Sequence, residues 1–221
     1  RCWIVNRMRK IHKISAILLT GAAALTVVFP GGPASVSAAR DSGGHVGEND
    51  KYIIFMEWGE MNFTYDYGRW NPNTFAYEAD DASICPASGT VQGQPGWYGF
   101  DGSANRLFIR DSSLTEEGEG TVFTVETEMD IQGVTPFWYE DPGLSIPLEQ
   151  TEGGNWRFEL FNDKDSPSEE ENQKELYLSL AGEPADGTDG TDGRFESENN
   201  PVKIGQITVI VQTKKEAEEG P

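Results

Sequence analysis

The sequence predicts an all-β chain: a single antiparallel β-sandwich, Ig-like or jelly-roll-like, that follows a cleaved signal peptide. Three observations predict it. Apolar residues recur at every second position over most of the chain after residue 51. The alternating runs are separated by clusters of Gly, Pro, Asp and Asn, the residues of turns. The first 39 residues have the layout of an export signal.

That layout begins with the basic run Met8-Arg9-Lys10-Ile11-His12-Lys13, preceded by residues 1–7. An apolar stretch from Ile14 to Phe29 follows and reads as the leader helix, which Pro30-Gly31-Gly32-Pro33 breaks. Small residues at Val36-Ser37-Ala38-Ala39 then supply a cleavage point, and the apolar stretch is short for a stop-transfer helix. Residues 40–50 have no periodicity and read as a flexible lead-in. The predicted domain is 51–212, and 213–221 is a charged tail.

Within the domain, Tyr52–Trp58 reads as a nearly continuous apolar strand. From Met61 the apolar positions are odd-numbered (Met61, Phe63, Tyr65, Tyr67), so Gly59 is expected to hold a bulge or bend that switches the inward register. Further strands are expected at Arg106–Arg110, Thr121–Gln132, Trp156–Phe161, Leu176–Leu180 and Lys203–Gln212. The cleanest is Thr121–Gln132, with Phe123, Val125, Met129 and Ile131 on one face and Thr124, Glu126, Glu128 and Asp130 on the other. Ser166-Pro167-Ser168-Glu169 is the one helical signal, an N-cap with Pro at the first position and a capping-box Glu.

Several strings carry a resemblance. Trp58-Gly59-Glu60-Met61-Asn62-Phe63-Thr64-Tyr65 is followed by Trp70-Asn71-Pro72-Asn73-Thr74 and Tyr77. Later come Asn105–Ser113, Leu180-Ala181-Gly182-Glu183-Pro184 and Ile204-Gly205-Gln206-Ile207-Thr208-Val209. Together they resemble a largely uncharacterised group of small secreted proteins of Gram-positive bacteria that share W-G-x-M-x-F-x-Y and W-N-P-x-T-x-x-Y. The resemblance spans most of 51–212 and implies a secreted β-sandwich with little chemistry attached. A long Asp/Gly-rich insertion between the last two strands departs from the pattern.

Charge narrows the partners. The chain carries 17 basic and 37 acidic residues, for a net charge of −20. Residues 1–39 hold five of the basic residues and no acidic one, so the mature chain has 12 against 37, or −25. Nucleic acid needs a basic patch and an anionic membrane needs basic residues, so neither is expected as a partner of the mature form. Extracellular protein or glycan is expected instead, and self-association is possible on this reading. Cys85 is the one cysteine left after cleavage and reads as a packed thiol.

Candidate site residues follow from side-chain chemistry. Aromatic faces stack on sugar rings, and Trp97, Tyr98, Phe137, Trp138 and Tyr139 stand in Gly/Pro-rich segments that read as surface loops, whereas Trp58 and Trp156 lie in strands and read as core. Asp186, Asp189 and Asp192 recur in a Gly-rich loop where hard oxygen ligands could hold a Ca²⁺ weakly; no other cofactor is expected. Glu128-Met129-Asp130-Ile131-Gln132 resembles the E-x-D-x-E strand of laminarinase-type glycoside hydrolases. Its last position is an amide, which neither gives nor takes the proton that retaining hydrolysis requires. The expectation is therefore a non-enzymatic structural or adhesive module, secreted or at the bacterial cell surface, of the adhesin, fibre or matrix-subunit type. A glycan-binding module using loop aromatics is the alternative, with a glycoside hydrolase third.

Overall fold

The structure is a computed structural model that describes residues 17–19, 23–28, 36–38, 52–81, 83–112, 120–161, 171–185 and 204–214. Its fourteen elements are all strands, and every pairing between them is antiparallel. In chain order they are β1 (Ile17–Leu19), β2 (Ala23–Val28), β3 (Val36–Ala38), β4 (Tyr52–Trp58), β5 (Thr64–Asp66), β6 (Arg69–Asn71) and β7 (Ala76–Glu78). Then follow β8 (Gly96–Tyr98), β9 (Arg106–Asp111), β10 (Thr121–Met129), β11 (Thr135–Tyr139), β12 (Trp156–Leu160), β13 (Gln173–Ala181) and β14 (Gly205–Thr213).

Two five-stranded sheets, β1-β4-β9-β13-β11 and β12-β10-β14-β2-β3, make the frame; β5-β8 and β6-β7 are two-stranded ribbons. Alternation decides which face of each strand is buried. On β10, Phe123 and Val125 are buried, and on β14 so are Ile207, Val209 and Val211, while the residues between them keep some exposure. These side chains form one hydrophobic cluster with Ile54, Met56, Leu107, Ile109, Leu176 and Leu178 of the other sheet. The Trp138 indole crosses between the sheets, donating from Nε1 to Thr127 Oγ1 at 3.0 Å.

Gly59 does what its position suggests. Inward residues are even-numbered before it (Ile54, Met56) and odd-numbered after it, where Met61 is buried and Phe63 packs on the core. Gly59 N donates to Arg106 O and Met61 N to Ala104 O, each at 2.8 Å. The backbones come so close that a Cβ on residue 59 would lie 2.1 Å from Ser103 O. Only glycine fits there.

Several elements differ from the sequence expectation. The alternating run from Met61 pairs only over Thr64–Asp66, against Gly96–Tyr98. Thr135–Tyr139, read as a loop because of Pro136 and its Gly-rich surroundings, is a strand; it lies at the end of its sheet, where a proline's missing N–H breaks no ladder. The apolar stretch 14–29, read as a leader helix, contributes β1 and β2, which pair with β4 and β14. The helical signal at 166–169 lies outside the described residues. Cys85, read as a plain thiol, is buried and disulfide-bonded.

Candidate functional site

The β6–β7 hairpin stands out because its large side chains face solvent. Trp70 is 51% exposed, Phe75 79% and Tyr77 50%, values that set these three rings apart from the buried aromatics of the frame. Trp70 and Tyr77 are directly opposed across the ribbon, so both project from the same face. Their rings meet edge-to-face with centroids 5.4 Å apart, and Phe75 approaches Trp70 edge-on at 6.4 Å. Together they open about 300–400 Å² of aromatic surface to water, as much as the largest apolar patch of an ordinary monomer.

Local chemistry holds these rings in place. Asn71 Oδ1 accepts from Asn73 N at 2.9 Å, an Asx turn that Pro72 preorganises by fixing its own φ. Phe75 N then closes the turn onto Asn71 O at 2.9 Å. Glu78 spans the mouth of the hairpin, one carboxylate oxygen accepting from Asn71 Nδ2 and the other from Thr74 Oγ1, both at 2.7 Å. These two hydrogen bonds hold the Glu78 carboxyl below its ordinary value. Phe75 has φ of +56°, a left-handed conformation that costs a bulky residue about 1–2 kcal/mol. A strained, highly exposed phenylalanine adds little to the stability of the fold that carries it.

The base of the hairpin is clamped by Asp66. Its carboxylate accepts from Gly68 N (2.7 Å) on the entering chain and from Asp80 N (2.8 Å) and Ser83 Oγ (2.6 Å) on the leaving one. Partial burial acts to raise this carboxyl, but those three hydrogen bonds and the Arg69 charge outweigh it and hold Asp66 below its ordinary value. Beneath the clamp, Tyr65 packs edge-on against Trp97 with centroids 5.2 Å apart, and Trp97 Nε1 donates to Gly182 O at 2.8 Å. The strand that leads into the hairpin is thus packed against the buried Trp97, whose indole is tied to the residue that follows β13.

Of the aromatics singled out from sequence, Trp97 (4% exposed), Tyr98 (2%) and Trp138 (0%) are core residues, correcting the expectation that they lie on surface loops. Their polar tips bond inward: Tyr98 OH donates to the Val91 and Gln94 carbonyls, and burial pushes its phenol pKa up. Rings covered in this way have no face to offer a sugar. Tyr139 is half-buried against the core, and Phe137 is exposed at 42%, the one ring of the five on the open surface. It alternates with the inward Trp138 on β11. Asp186, Asp189 and Asp192 lie outside the described residues. Among the described residues no group of three or more His, Cys, Asp or Glu side chains is placed to hold a metal ion.

Glu128 is exposed and accepts a hydrogen bond from Gln206 across the β10–β14 ladder. Two cavities, one bordered by Thr127 and Leu180 and the other by Trp58 and Ile207, hold about 10 Å³ each, at the limit for one water. The convex hairpin is thus the better candidate for contact with a partner. Trp70, Phe75 and Tyr77 are not among the site candidates expected from sequence, although a signal is present: Trp and Tyr flank an Asn-Pro-Asn-Thr turn with polar neighbours, and no apolar alternation runs on to carry them into a core. Comparison of the chain with protein families, curated proteins and solved structures finds no match.

Proposed function

We propose that this chain is an exported, non-enzymatic attachment module: one β-sandwich, residues 51–212, that follows a cleaved leader of residues 1–39. It acts outside the cell or at the bacterial cell surface as an adhesin, fibre or matrix subunit. The single observation that carries the reading is the Trp70, Phe75 and Tyr77 hairpin. Aromatic residues dominate the binding energy of protein contacts, and a rigid ribbon presents them with little ordering cost. A single sandwich is supported by the hydrophobic cluster that β4, β9, β11 and β13 of one sheet share with β10, β12 and β14 of the other, all of them strands after residue 51, and export by the basic-then-apolar leader. Fold alone assigns no activity.

The test is adherence of the purified protein to immobilised extracellular proteins, wild type beside Trp70→Ala with Phe75→Ala. Retention that falls at least about tenfold in the double variant, with an unchanged circular dichroism spectrum, is the expected result; tenfold corresponds to about 1.4 kcal/mol, modest for truncating aromatic anchors. Equal retention by both proteins would remove the hairpin from the reading. The open rings of Trp70 and Tyr77 also favour a second reading, a glycan-binding module, since exposed aromatic faces stack on sugars. A glycan array in which Tyr77→Ala abolishes a wild-type signal would select it over protein adhesion.

A further inference from the structure

β14 carries an outer edge that the full chain covers with its own leader. Ala23–Val28 lies antiparallel along it, Val28 opposite Gln206 through Ala23 opposite Val211, and β3 in turn pairs with β2. On its other side β14 is paired with β10 along its whole length. Asp130 N donates to Ile204 O and Lys214 N to Gly120 O. Even-numbered residues therefore turn their backbone groups to β10. By the alternation of an antiparallel ladder, Ile207, Val209 and Val211 turn theirs to the leader.

Removal of residues 1–39 would take β1, β2 and β3 together, and with them Cys2, the only other cysteine of the sequence, so that Cys85 is left as a thiol in the trimmed chain. It would leave β14 as an edge strand, with β4 as the edge of the other sheet. Those two edges belong to one flank of the molecule, since Met56 and Trp58 of β4 border the same small cavity as Ile207 and Val209 of β14. Edge strands are normally protected by charge, proline or brevity. β14 has none of these: it is nine residues long, Gly-Gln-Ile-Thr-Val-Ile-Val-Gln-Thr, with no charge and no proline.

We infer that, once the leader is removed, the β14 edge pairs with β14 of a second copy of this chain, so that leader removal releases a self-association surface. This rests on the leader reading of the proposed function. A strand paired with its own copy about a two-fold axis is necessarily antiparallel, the direction in which the leader strand sits on the same edge. Centring the axis on Val209 sets Val211 opposite Ile207 of the second copy and Ile210 opposite Thr208, so buried faces stay on one side and the two sheets become continuous. In a mature chain of net charge −25 most surfaces repel a second copy. This uncharged strand does not.

The experiment expresses the leader-bearing chain in a secreting Gram-positive host and examines the exported product. Mass spectrometry reads its N-terminus, and light scattering on a sizing column reads its mass. The expected product begins near residue 39 or 40 and has the mass of two chains. Thr208→Lys with Ile210→Lys sets lysines opposite lysines across the axis, and the mass halves while the melting temperature of the protomer is retained. Mixing this variant with Thr208→Glu/Ile210→Glu restores the two-chain mass, a rescue that mere damage to the fold would not give. If the lysine pair prevents folding, Gln206→Lys with Gln212→Lys, which also oppose each other in this register, replaces it. A trimmed product that stays monomeric overturns the edge pairing and leaves the leader reading intact. A dimer indifferent to the lysine pairs overturns the edge pairing as well. An exported product that retains residues 1–39 overturns the leader reading, and the edge pairing falls with it.

Discussion

Replacing Trp138 by alanine tests the central claim about the core, because the sequence alone points to this residue as a loop aromatic free to meet a ligand. In the structure its side chain is fully buried on β11, opposite Leu178 of β13, with its indole N–H on Thr127 of the facing sheet. Truncation removes about 150–250 Å² of buried apolar surface, worth about 4–6 kcal/mol as an upper bound. Measured Trp→Ala replacements in cores cost about 3–5 kcal/mol, since the site collapses only in part. We take about 4 kcal/mol, a large share of the 5–15 kcal/mol that holds an ordinary domain together. For a domain of this size that lowers Tm by about 8–16 °C.

Urea denaturation followed by circular dichroism measures the loss, and an unchanged slope confirms that the same surface is exposed on unfolding. Thr127→Val isolates the polar contact. It leaves the indole N–H buried without its acceptor and is expected to cost about 1–3 kcal/mol. Trp138→Phe removes the donor instead, and the double variant with Thr127→Val should cost less than the sum of the two by about 1 kcal/mol. A Trp138→Ala protein that melts within about 1 °C of the wild type would refute the placement of this ring between the sheets.

Other expectations are simpler. Gly59→Ala forces a methyl within 2.1 Å of Ser103 O and 2.3 Å of Ala104 O, so the two flanking hydrogen bonds must lengthen; a loss of about 2–4 kcal/mol is expected by denaturant titration. Phe75→Gly relieves the left-handed strain at a position with little to lose by burial, so Tm should hold or rise by about 1–2 °C while adherence falls. Asp66 and Glu78 both titrate below their ordinary values, so their contribution is complete above about pH 5 and is lost as pH falls through the lower, folded values. An acid titration of tryptophan fluorescence should therefore show the hairpin loosening below about pH 4, and Asp66→Asn should remove most of that step.

By itself the sequence determined the all-β class, the strands β4, β9, β10, β12, β13 and β14 to within a few residues, and the register switch at Gly59. Each of these is written locally. A strand with one buried face must alternate, so Phe123 and Val125 announce their burial without reference to any other segment. Only the tertiary structure decided which aromatics are covered. Trp97 and Trp138 stand in Gly- and Pro-rich segments with no period to read, and each is buried through contacts the local pattern does not encode. The carbonyl that Trp97 meets is 85 residues away, and the Thr127 that Trp138 meets lies on the other sheet. Trp70 and Tyr77 show the converse. As a residue type each resembles a core residue, yet they remain in water because, among the described residues, no element is laid over the β6–β7 ribbon on the side they face. A side chain's own strand selects its face, but burial needs a second surface to cover that face, and that surface comes from chain far away in sequence.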